Sequence, residues 1–388
     1  MTTITAPADL IQRARDLAPA VRAAADETER GRRVPQHLLQ LLIDARLFDI
    51  VLPQSLGGLE VDILTMMRII EEISIADGAT GWTVGIGAGT SILAAFLAED
   101  VARAIYTPGT ITGGPVAPMG RATPVDGGYR VTGRWPFASG SEHCAWLAGG
   151  SLVFEGPAPR MLAEGVPDWR MMIFPAADVE IIDTWSVTGL RGTGSHDIAV
   201  HDAFVPAERS ISLLAMEPKH SGPLYRFPIF PFLTVSIATV STGIARRAID
   251  DFIALAQSKV STGSGVPMRE RTTIQSEVAQ AEATLRSARA FLYETVAEVW
   301  AHIEAGNTAT VEQRGLIRLA GAHATLSAAR AVDMMYTLGG GTAIYETSTL
   351  QRQFRDVHTA TQHITLNAAN YELAGQILLG LSPNALAL

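Results

Sequence analysis

A short polar segment next to two aromatic residues is the part of this sequence best suited to hold a flat ligand. Ser139 and Gly140 follow closely on Trp135 and Phe137, at the end of an alternating, strand-like run that begins at Tyr129. Aromatic side chains can enclose a planar heteroaromatic molecule, a hydroxyl can hydrogen-bond to it, and a glycine lets the backbone come close. A β-hairpin with a Ser-Gly turn over an aromatic core gives the same pattern, so this segment alone leaves both interpretations open.

A second loop rich in glycine runs over 184–197 with the sequence TWSVTGLRGTGSHD. Arg191 lies between Gly189 and Gly192, where a guanidinium could bind a phosphate or an acidic partner. A solvated loop arginine is the alternative.

The segment 81–97, GWTVGIGAGTSILAAFL, is almost entirely apolar, which predicts a buried helix. Each glycine within it lowers helix stability by roughly 1 kcal/mol. Close packing between helices is one explanation for these glycines. Room left for a ligand is the other, and in that case Trp82, Gly85 and Gly89 would line a substrate pocket.

Motifs for several common chemistries are absent. The triple glycine at 339–341 follows a helix, and Ile344 stands where a dinucleotide-binding fingerprint has its last glycine. Neither a GxxxxGK[ST] phosphate loop nor a GxSxG nucleophile motif occurs. His358 and His363 are five residues apart, which is off the spacing that puts two ligands on one helical face, so no metal site is predicted. A redox cofactor here would receive its electrons from an organic substrate or from another protein.

The composition is typical of a soluble protein that does not bind nucleic acid. The chain has 388 residues, of which 47% are hydrophobic, and a formal net charge of −9. Its single cysteine, Cys144, excludes an intrachain disulfide and any cysteine-based zinc or iron–sulfur site. The sequence shows no signal-peptide pattern and no uncharged apolar stretch of about 18 residues. We therefore expect a cytoplasmic protein without a membrane span.

The periodicity divides the chain into three regions and predicts an α+β, mainly α fold. These are an N-terminal helical domain (1–110), a small β-barrel or sandwich domain (111–210) and a C-terminal four-helix bundle (211–388). The predicted strands are 111–117, 120–125, 128–136, 145–155, 170–174, 178–186 and 196–205. The predicted bundle helices are 232–255, 271–305, 310–338 and 359–379.

Together with this architecture, three stretches make nearly the whole chain resemble the acyl-CoA dehydrogenase superfamily. They are GGYRVTGRWPFASGSEH (127–143), TWSVTGLRGTGSHDI (184–198) and GGGTAIYETSTLQRQFRDVHTATQH (339–363). Within the superfamily the chain is most similar to the flavin-dependent monooxygenases, the oxygenase halves of two-component hydroxylases.

The resemblance implies roles for particular residues. In relatives, the residue matching Ser139 hydrogen-bonds the flavin at N5 and O4, and the neighbouring aromatic residues, here Trp135 and Phe137, pack on the ring. Gly140 and Arg191 complete the cofactor contacts predicted for this part of the chain. The loop 263–275 resembles the segment through which a neighbouring subunit contacts the cofactor, with Arg269, Arg271 and Gln275 as candidates. Homotetramers built on the helical bundle are usual in the superfamily.

The two branches of the superfamily differ in one residue. A dehydrogenase of this fold needs a carboxylate base, and in most relatives a glutamate follows an Arg-Asp pair. Here Arg355-Asp356 is followed by VHTATQHIT, without an acid before Glu372, and the first four turns of the first bundle helix, 232–247, also lack one. In the monooxygenase branch that segment carries a histidine, which matches His363.

The resemblance thus predicts the oxygenase component of a two-component flavin monooxygenase with His363 and Ser139 as catalytic residues. FMNH₂ or FADH₂ from a separate NAD(P)H-dependent reductase would react with O₂ to give a C4a-hydroperoxyflavin that hydroxylates the substrate. A histidine with a pKa about 6.5 suits deprotonation of a phenol or proton transfer to the peroxide. The alternative role of His363 is a hydrogen bond within the bundle.

Two other functions and several substrates stay open at this point. The chain could be a flavin-retaining dehydrogenase acting on an acyl thioester or a similar substrate, or a non-catalytic scaffold of the same fold. Several phenol-hydroxylating relatives carry a substrate-binding histidine in the helix that corresponds to 81–96, and this chain has none there. We therefore expect a larger, less polar pocket, in which a polycyclic aromatic, an amine or a sulfur centre fits as well as a simple phenol.

Overall fold

The N-terminal part of the computed structural model, which describes residues 6–260 and 265–383, consists of helices. They are α1 (Pro7–Gly31), α2 (Gln36–Asp44), α3 (Ile63–Ala76), α4 (Gly78–Thr90) and α5 (Glu99–Ile105). The Asp62 carboxylate accepts the Thr65 N–H at 2.9 Å and caps α3. Asp77 caps α4 in the same way through Thr80, at 2.8 Å. The buried helix predicted over 81–97 is α4, continued by a 3₁₀ turn over Ser91–Phe96.

The central part is a curled β-sheet. The strands of this region are β1 (Thr112–Gly113), β2 (Gly120–Val125), β3 (Gly128–Ala138), β4 (Trp146–Glu155), β5 (Ala158–Pro159), β6 (Met161–Ala163), β7 (Val166–Pro167), β8 (Trp169–Pro175), β9 (Glu180–Ile182), β10 (His196–Pro206) and β11 (Ser210–Ser212). Strands β6 and β7 form a separate small hairpin. The order is β11-β8-β4-β2-β3-β10-β9, so the hydrogen-bond ladder among the described strands starts at β11 and ends at β9 without closing. Inward-facing residues from both ends of this order, such as Met172 and Ile198, nevertheless share one apolar core.

The C-terminal part returns to helices. They are α6 (Ile229–Ser258), α7 (Thr272–Glu304), α8 (Val311–Gly339), α9 (Thr349–Ala360) and α10 (Ala369–Leu378). The first three match the predicted bundle helices, and Thr310 and Gln313 form a capping box at the start of α8. The fourth predicted helix, 359–379, is wrong: a helix ends at Ala360, and the next begins only at Ala369.

The segment 361–368 separates these two short helices because side chains compete there for the backbone. The Asn370 side-chain amide donates to the carbonyls of Ile364 (3.1 Å) and Asn367 (2.9 Å). Such local side-chain bonds offer the chain an alternative to continued helix. As a result His363 lies in a turn rather than on a helical face.

Among the described residues, two helical stretches are long and apolar enough to cross a membrane by composition, Gly78–Phe96 and Ile229–Ser258, so the expectation that no such stretch occurs is wrong. Both are mostly buried inside the fold, as core helices of soluble proteins are.

The order of the elements gives the predicted α+β, mainly α class, with helices before and after a central sheet. We propose the domain boundaries predicted from the sequence. The one at 110 falls in the connection between α5 and β1, and the one at 210 falls at the start of the last strand, β11.

Candidate active site

A cavity of about 1080 Å³ lies where the three parts of the fold meet. Helix α4 borders it on one side, the end of β3 and the loop 184–197 on another, and α6, α8 and the segment 361–370 on the rest. Its aromatic wall residues are Trp82, Phe137, Trp169, Trp185 and Phe230. Pockets for one drug-sized ligand measure about 300–1,000 Å³. This cavity is therefore large enough for two flat molecules side by side.

A chain of hydrogen bonds joins α4 to the sheet at the cavity wall. The Trp82 indole N–H donates to the Ser139 hydroxyl at 3.1 Å. The Ser139 and Ser195 hydroxyls lie 2.7 Å apart, and the Ser195 and Thr193 hydroxyls 2.6 Å apart. Thr193 in turn donates to the Leu190 carbonyl at 2.8 Å.

The two ends of this chain fix the direction of every proton in it. The Leu190 carbonyl can only accept, so the Thr193 proton is used there, Ser195 donates to Thr193, and Ser139 donates to Ser195. Trp82 can only donate. The Ser139 oxygen thus already gives its proton away and keeps one lone pair, which suits a donor in the cavity.

His363 faces the same tryptophan from the C-terminal side. The imidazole and the Trp82 ring meet edge to face, with centroids 5.8 Å apart and an interplanar angle of 69°. Both the hydroxyl (2.9 Å) and the backbone N–H (3.3 Å) of Thr365 converge on His363 Nδ1. Because donors occupy Nδ1, the proton of the neutral ring belongs on Nε2.

The surroundings keep His363 neutral. Desolvation in the cavity wall, followed by the nearby Arg318 cation, lowers the pKa of His363 from 6.5 to about 4. Nε2 has no hydrogen-bond partner among the residues that the structure describes. At neutral pH the side chain therefore presents an N–H donor to the cavity.

No carboxylate borders the cavity along the described chain. The acid nearest in sequence to His363, Asp356, is buried and accepts the Leu190 N–H at 2.5 Å, which ties the 184–197 loop to α9. Desolvation and the neighbouring Asp77 raise the pKa of Asp356 to about 7. The Arg-Asp pair in the sequence thus positions a loop, and the base that a dehydrogenase needs is missing from the wall.

Phe137 is held in a conformation that its own backbone disfavours. Its φ of 66° is in the left-handed region, which is rare for a bulky residue, and 69% of the side chain is exposed. The ring stands edge-on to Trp185 at the cavity, with centroids 6.2 Å apart. Strain of this kind persists where it serves binding.

Known proteins resemble this chain in both sequence and structure. The family models for the N-terminal and C-terminal domains of acyl-CoA dehydrogenase match residues 8–113 and 235–368. Indole-3-acetate monooxygenase of Pseudomonas putida is 34% identical, covering 93% of this chain and 91% of that protein. The oxygenase subunit HsaA of a flavin-dependent monooxygenase from Rhodococcus jostii is 29% identical, covering 91% and 93%. The structure of XiaF from Streptomyces sp. in complex with FADH₂ and glycerol has a TM-score of 0.88 at 26% identity, covering 97% of this chain and 96% of that one.

The chain belongs to the flavin-dependent monooxygenases of the acyl-CoA dehydrogenase superfamily. It is an oxygenase component that uses reduced flavin and O₂, acts on a small molecule and depends on a separate flavin reductase. The flavin-retaining dehydrogenase that the sequence left open is not favoured.

One predicted cofactor contact of this monooxygenase is wrong. Trp135 is fully buried inside the curled sheet, donates its indole N–H to the Gly150 carbonyl at 2.6 Å and does not border the cavity. A bulge explains why Trp135 points inward and Phe137 outward. Three residue steps on β3, from Trp135 to Ala138, pair with two on β10, so the side chains lose their regular alternation.

Gly140 and Arg191 also lie off the cavity wall. Gly140 adopts φ 69° and donates its N–H to the Thr193 carbonyl at 2.7 Å, so it joins the hairpin to the 184–197 loop. Arg191 begins a 3₁₀ turn packed on α1 and α4, and its Nε has no hydrogen-bond partner in the described part of the chain. Contact between these two residues and the flavin stays a prediction.

The three residues predicted to serve a neighbouring subunit are brought together with each other but not with the cavity of their own chain. Arg269, Arg271 and Gln275 are exposed at the start of α7, and the Gln275 amide donates to the Arg269 carbonyl at 3.0 Å. Residues 261–264, which include the start of the predicted loop 263–275, lie outside the described residues. A role across a subunit boundary stays a prediction.

The glycines of α4 serve both purposes that the sequence left open. A Cβ at Gly81 would lie 2.0 Å from the Ser74 hydroxyl, and one at Gly87 would lie 2.8 Å from the Phe48 ring, so both permit close packing. A Cβ at Gly85 or Gly89 would meet protein atoms no nearer than 3.6 and 3.5 Å, and both glycines line the cavity.

The sequence analysis did not predict several residues that border the cavity. Trp185 and Ser195 stood within the quoted 184–197 loop, yet nothing in the loop pattern shows which residues face a cavity. Arg318 had a clearer signal. Its neighbours three and four positions away on α8 are Arg314, Gly315, Gly321 and Ala322, none of which can form an ion pair with it.

Proposed function

We propose that this monooxygenase hydroxylates a small aromatic molecule in the 1080 Å³ cavity, beside a reduced flavin supplied by an NAD(P)H-dependent reductase. The single observation that supports this most is that Ser139, Trp82 and His363, which come from three separate regions of the sequence, form one connected wall. The cavity has room for the flavin ring and a substrate, and its wall is aromatic and free of acids along the described chain.

The wall fits a reduced flavin in particular. Phe137 and Trp185 offer aromatic surface for the ring, and Ser139 offers an acceptor because its own proton is committed to Ser195. A reduced flavin carries a hydrogen on N5 and can donate there, whereas the oxidised N5 can only accept. When bound, reduced flavin would supply the two electrons that activate O₂, and O₂ would supply the oxygen atom that is transferred.

His363 contributes a hydrogen-bond donor in this proposal. The neutral ring presents its Nε2–H to the cavity, where it can hold a substrate or cofactor oxygen in place. Thr365 and Trp82 fix the orientation of the ring. This differs from removal of a proton from a phenol, because the lone pair on Nδ1 is already engaged by Thr365.

The substrate is proposed to be a flat aromatic larger than phenol. Gly85 and Gly89 leave room along α4, and five Trp and Phe side chains border the cavity. The relative from Pseudomonas putida is named for indole-3-acetate, whose bicyclic ring fits a cavity of this size.

We further propose that the enzyme is a cytoplasmic homotetramer in which Arg269, Arg271 and Gln275 reach the flavin of a neighbouring subunit. Apart from Phe137, the most exposed large apolar side chains all follow Gly339 in the chain, which supports burial of the C-terminal helices against another subunit. They are Ile344, Tyr345, Ile364, Leu378 and Leu379. The need for NAD(P)H-derived electrons supports a cytoplasmic location.

A single turnover under ¹⁸O₂ tests the proposal. The protein is mixed anaerobically with photoreduced FMN or FAD and with indole-3-acetate, phenol or indole, and is then exposed to ¹⁸O₂. We expect one ¹⁸O atom in an oxidised product of at least one of these aromatics. Product without ¹⁸O, or anaerobic oxidation of the substrate by bound oxidised flavin, would contradict it.

A further inference from the structure

Arg318 is a buried cation at the cavity, and it has no carboxylate partner among the described residues. It lies on α8, only 6% of it is exposed, and its side chain borders the cavity. Within the described part of the chain, its hydrogen bond runs from Nη1 to the Thr234 hydroxyl of α6 at 3.2 Å. Nε is buried and unpaired with respect to the described residues.

Three other partly buried arginines of the helical regions have a carboxylate partner. Each forms an ion pair with a carboxylate: Arg246 with Glu282, Arg289 with Glu71 and Arg352 with Glu29. Removing a charge from water is costly unless an opposite charge and hydrogen bonds compensate. Arg318 has a neutral hydroxyl instead, and the cavity wall that it joins has no acid in the described chain.

Burial does not neutralise this side chain. Desolvation lowers the pKa of Arg318 to about 10, which still leaves it charged at neutral pH. Its charge also contributes to the low pKa of His363. The cavity is therefore electropositive on the side formed by α6 and α8, next to the His363 ring.

We propose that Arg318 binds the carboxylate of the substrate, so that the substrate is an aromatic acid. This inference rests on the proposed function, since it names the substrate class of the same cavity. A guanidinium fork binds a carboxylate through parallel, charge-assisted hydrogen bonds. Phe230, Leu233 and Ile237 of α6 border the cavity near Thr234 and would pack against the aromatic part.

A flavin phosphate is the other anion that could occupy this position. The arrangement of the wall favours the substrate. The Arg318 charge acts on His363, which packs on Trp82 and is proposed to hold a substrate oxygen, so the guanidinium lies near the proposed position of the substrate. The experiment below separates the two anions.

Equilibrium binding to the full-length protein, with and without reduced FMN under anaerobic conditions, tests the proposal. The probes are indole-3-acetate, phenylacetate and naphthalene-1-acetate, each paired with its neutral amide. We expect at least one acid to bind wild type at least tenfold more tightly than its amide, and Arg318→Gln to abolish that preference. Arg330→Gln, an exposed site on the same helix, is the matched control and should keep it.

Three results would overturn the inference. One is that no acid binds more tightly than its amide. Another is that Arg318→Gln keeps the preference. The third is that Arg318→Gln reduces FMN binding but not riboflavin binding, which would assign the guanidinium to the flavin phosphate. Product formation from a neutral aromatic in any of these cases would show that the proposed function stands while the substrate class is wrong.

Thermal unfolding adds a measurement that needs neither flavin nor turnover. If Arg318 is kept for a ligand, Arg318→Met should have a Tm equal to or above that of wild type, because an unpaired buried charge is removed. The preferred acid should raise the Tm of wild type and leave that of the variant unchanged. A marked fall in Tm would instead indicate a purely structural role.

Discussion

Two buried tryptophans show how differently the sheet interior and the cavity are built. Trp135, 0% exposed, is surrounded by protein, and a Cβ at Gly120, Gly133 or Gly149 would come within 2.7 Å of its ring. Trp82, 8% exposed, also donates its indole N–H, but to a serine in a hydroxyl chain, and its ring borders the cavity beside His363.

The comparison shows that the destabilising features of this fold lie at the cavity and not in the interior of the sheet. Around Trp135 the polar groups are satisfied and the packing is close. At the cavity the chain holds a strained Phe137, a histidine that resists protonation and an arginine that has no counter-ion among the described residues. Proteins keep such features at sites where ligands compensate for them. Substitutions in the two regions should therefore have separable effects.

The largest effect is expected at His363. His363→Asn removes the Nε2–H and should lower product formation by roughly 10²–10⁴-fold, with hydrogen peroxide released instead. His363→Gln places an amide N–H near the Nε2 position, and we expect it to recover part of the lost product if hydrogen-bond donation is the role. Single-turnover assays of product and peroxide measure both. Equal losses in Asn and Gln would favour proton exchange, and wild-type rates in His363→Asn would remove the residue from the mechanism.

Substituting each tryptophan in turn should show that Trp135 contributes mainly to the stability of the fold and Trp82 mainly to flavin binding. Trp135→Ala should lower the free energy of unfolding by about 3–5 kcal/mol, because it empties the sheet interior. Trp82→Phe keeps a smaller aromatic ring at the edge of the cavity and loses one hydrogen bond, so it should lower stability by only about 1 kcal/mol while weakening reduced-flavin binding. Urea unfolding and anaerobic flavin titration provide the readouts. The comparison fails if Trp82→Phe destabilises the protein as much as Trp135→Ala.

The α4 glycines offer a smaller contrast within one helix. Gly81→Ala forces a Cβ against Ser74 and should lower the free energy of unfolding by about 1–3 kcal/mol. Gly85→Ala meets only an ordinary contact with Ile70 and should raise it by up to about 1 kcal/mol. Denaturation midpoints of the two variants test this, and equal destabilisation of both would contradict a cavity role for Gly85.

The charge state of the cavity wall should also make stability depend on pH. The folded-state pKa of His363, about 4, is below its ordinary 6.5, so the unfolded chain binds more protons between these values. Its stabilising contribution is full above pH 6.5 and is lost as pH falls towards 4. His363→Asn should therefore gain roughly 1–3 kcal/mol relative to wild type between pH 7 and pH 4.5.

Asp356 serves as a control, because its contribution to the free energy of unfolding should change with pH in the opposite direction. Its folded-state pKa of about 7 is above the ordinary value of 3.8, so its contribution is full at low pH and is lost as pH rises through 7. Asp356→Asn should gain relative to wild type as the pH rises from 4 to 8. Urea unfolding at several pH values measures both slopes, and a pH-independent difference for either variant would refute the corresponding assignment.

The sequence predicted the parts of this enzyme that depend on local pattern. The alternation of apolar and polar residues located β2, β3 and β4 to within a few residues. The motif at 127–143 pointed to Phe137 and Ser139, and both border the cavity. The error at Trp135 came from a bulge, which depends on pairing with β10 and leaves no trace in the alternation. The break at 361–368 was hidden because the apolar spacing continues through it. Arg318 could be suspected from its missing helical partners, but its burial required the tertiary structure.

The most direct test of the account is the affinity of the full-length protein for reduced and for oxidised FMN and FAD. Because Ser139 is an acceptor in the hydroxyl chain, we predict that the reduced form of at least one flavin binds at least tenfold more tightly than its oxidised form. Ser139→Ala should shrink that ratio without unfolding the protein, since one hydroxyl contributes only about 1 kcal/mol. Purification with tightly bound oxidised flavin, or equal affinity for the two redox states, would contradict an oxygenase that receives its flavin already reduced.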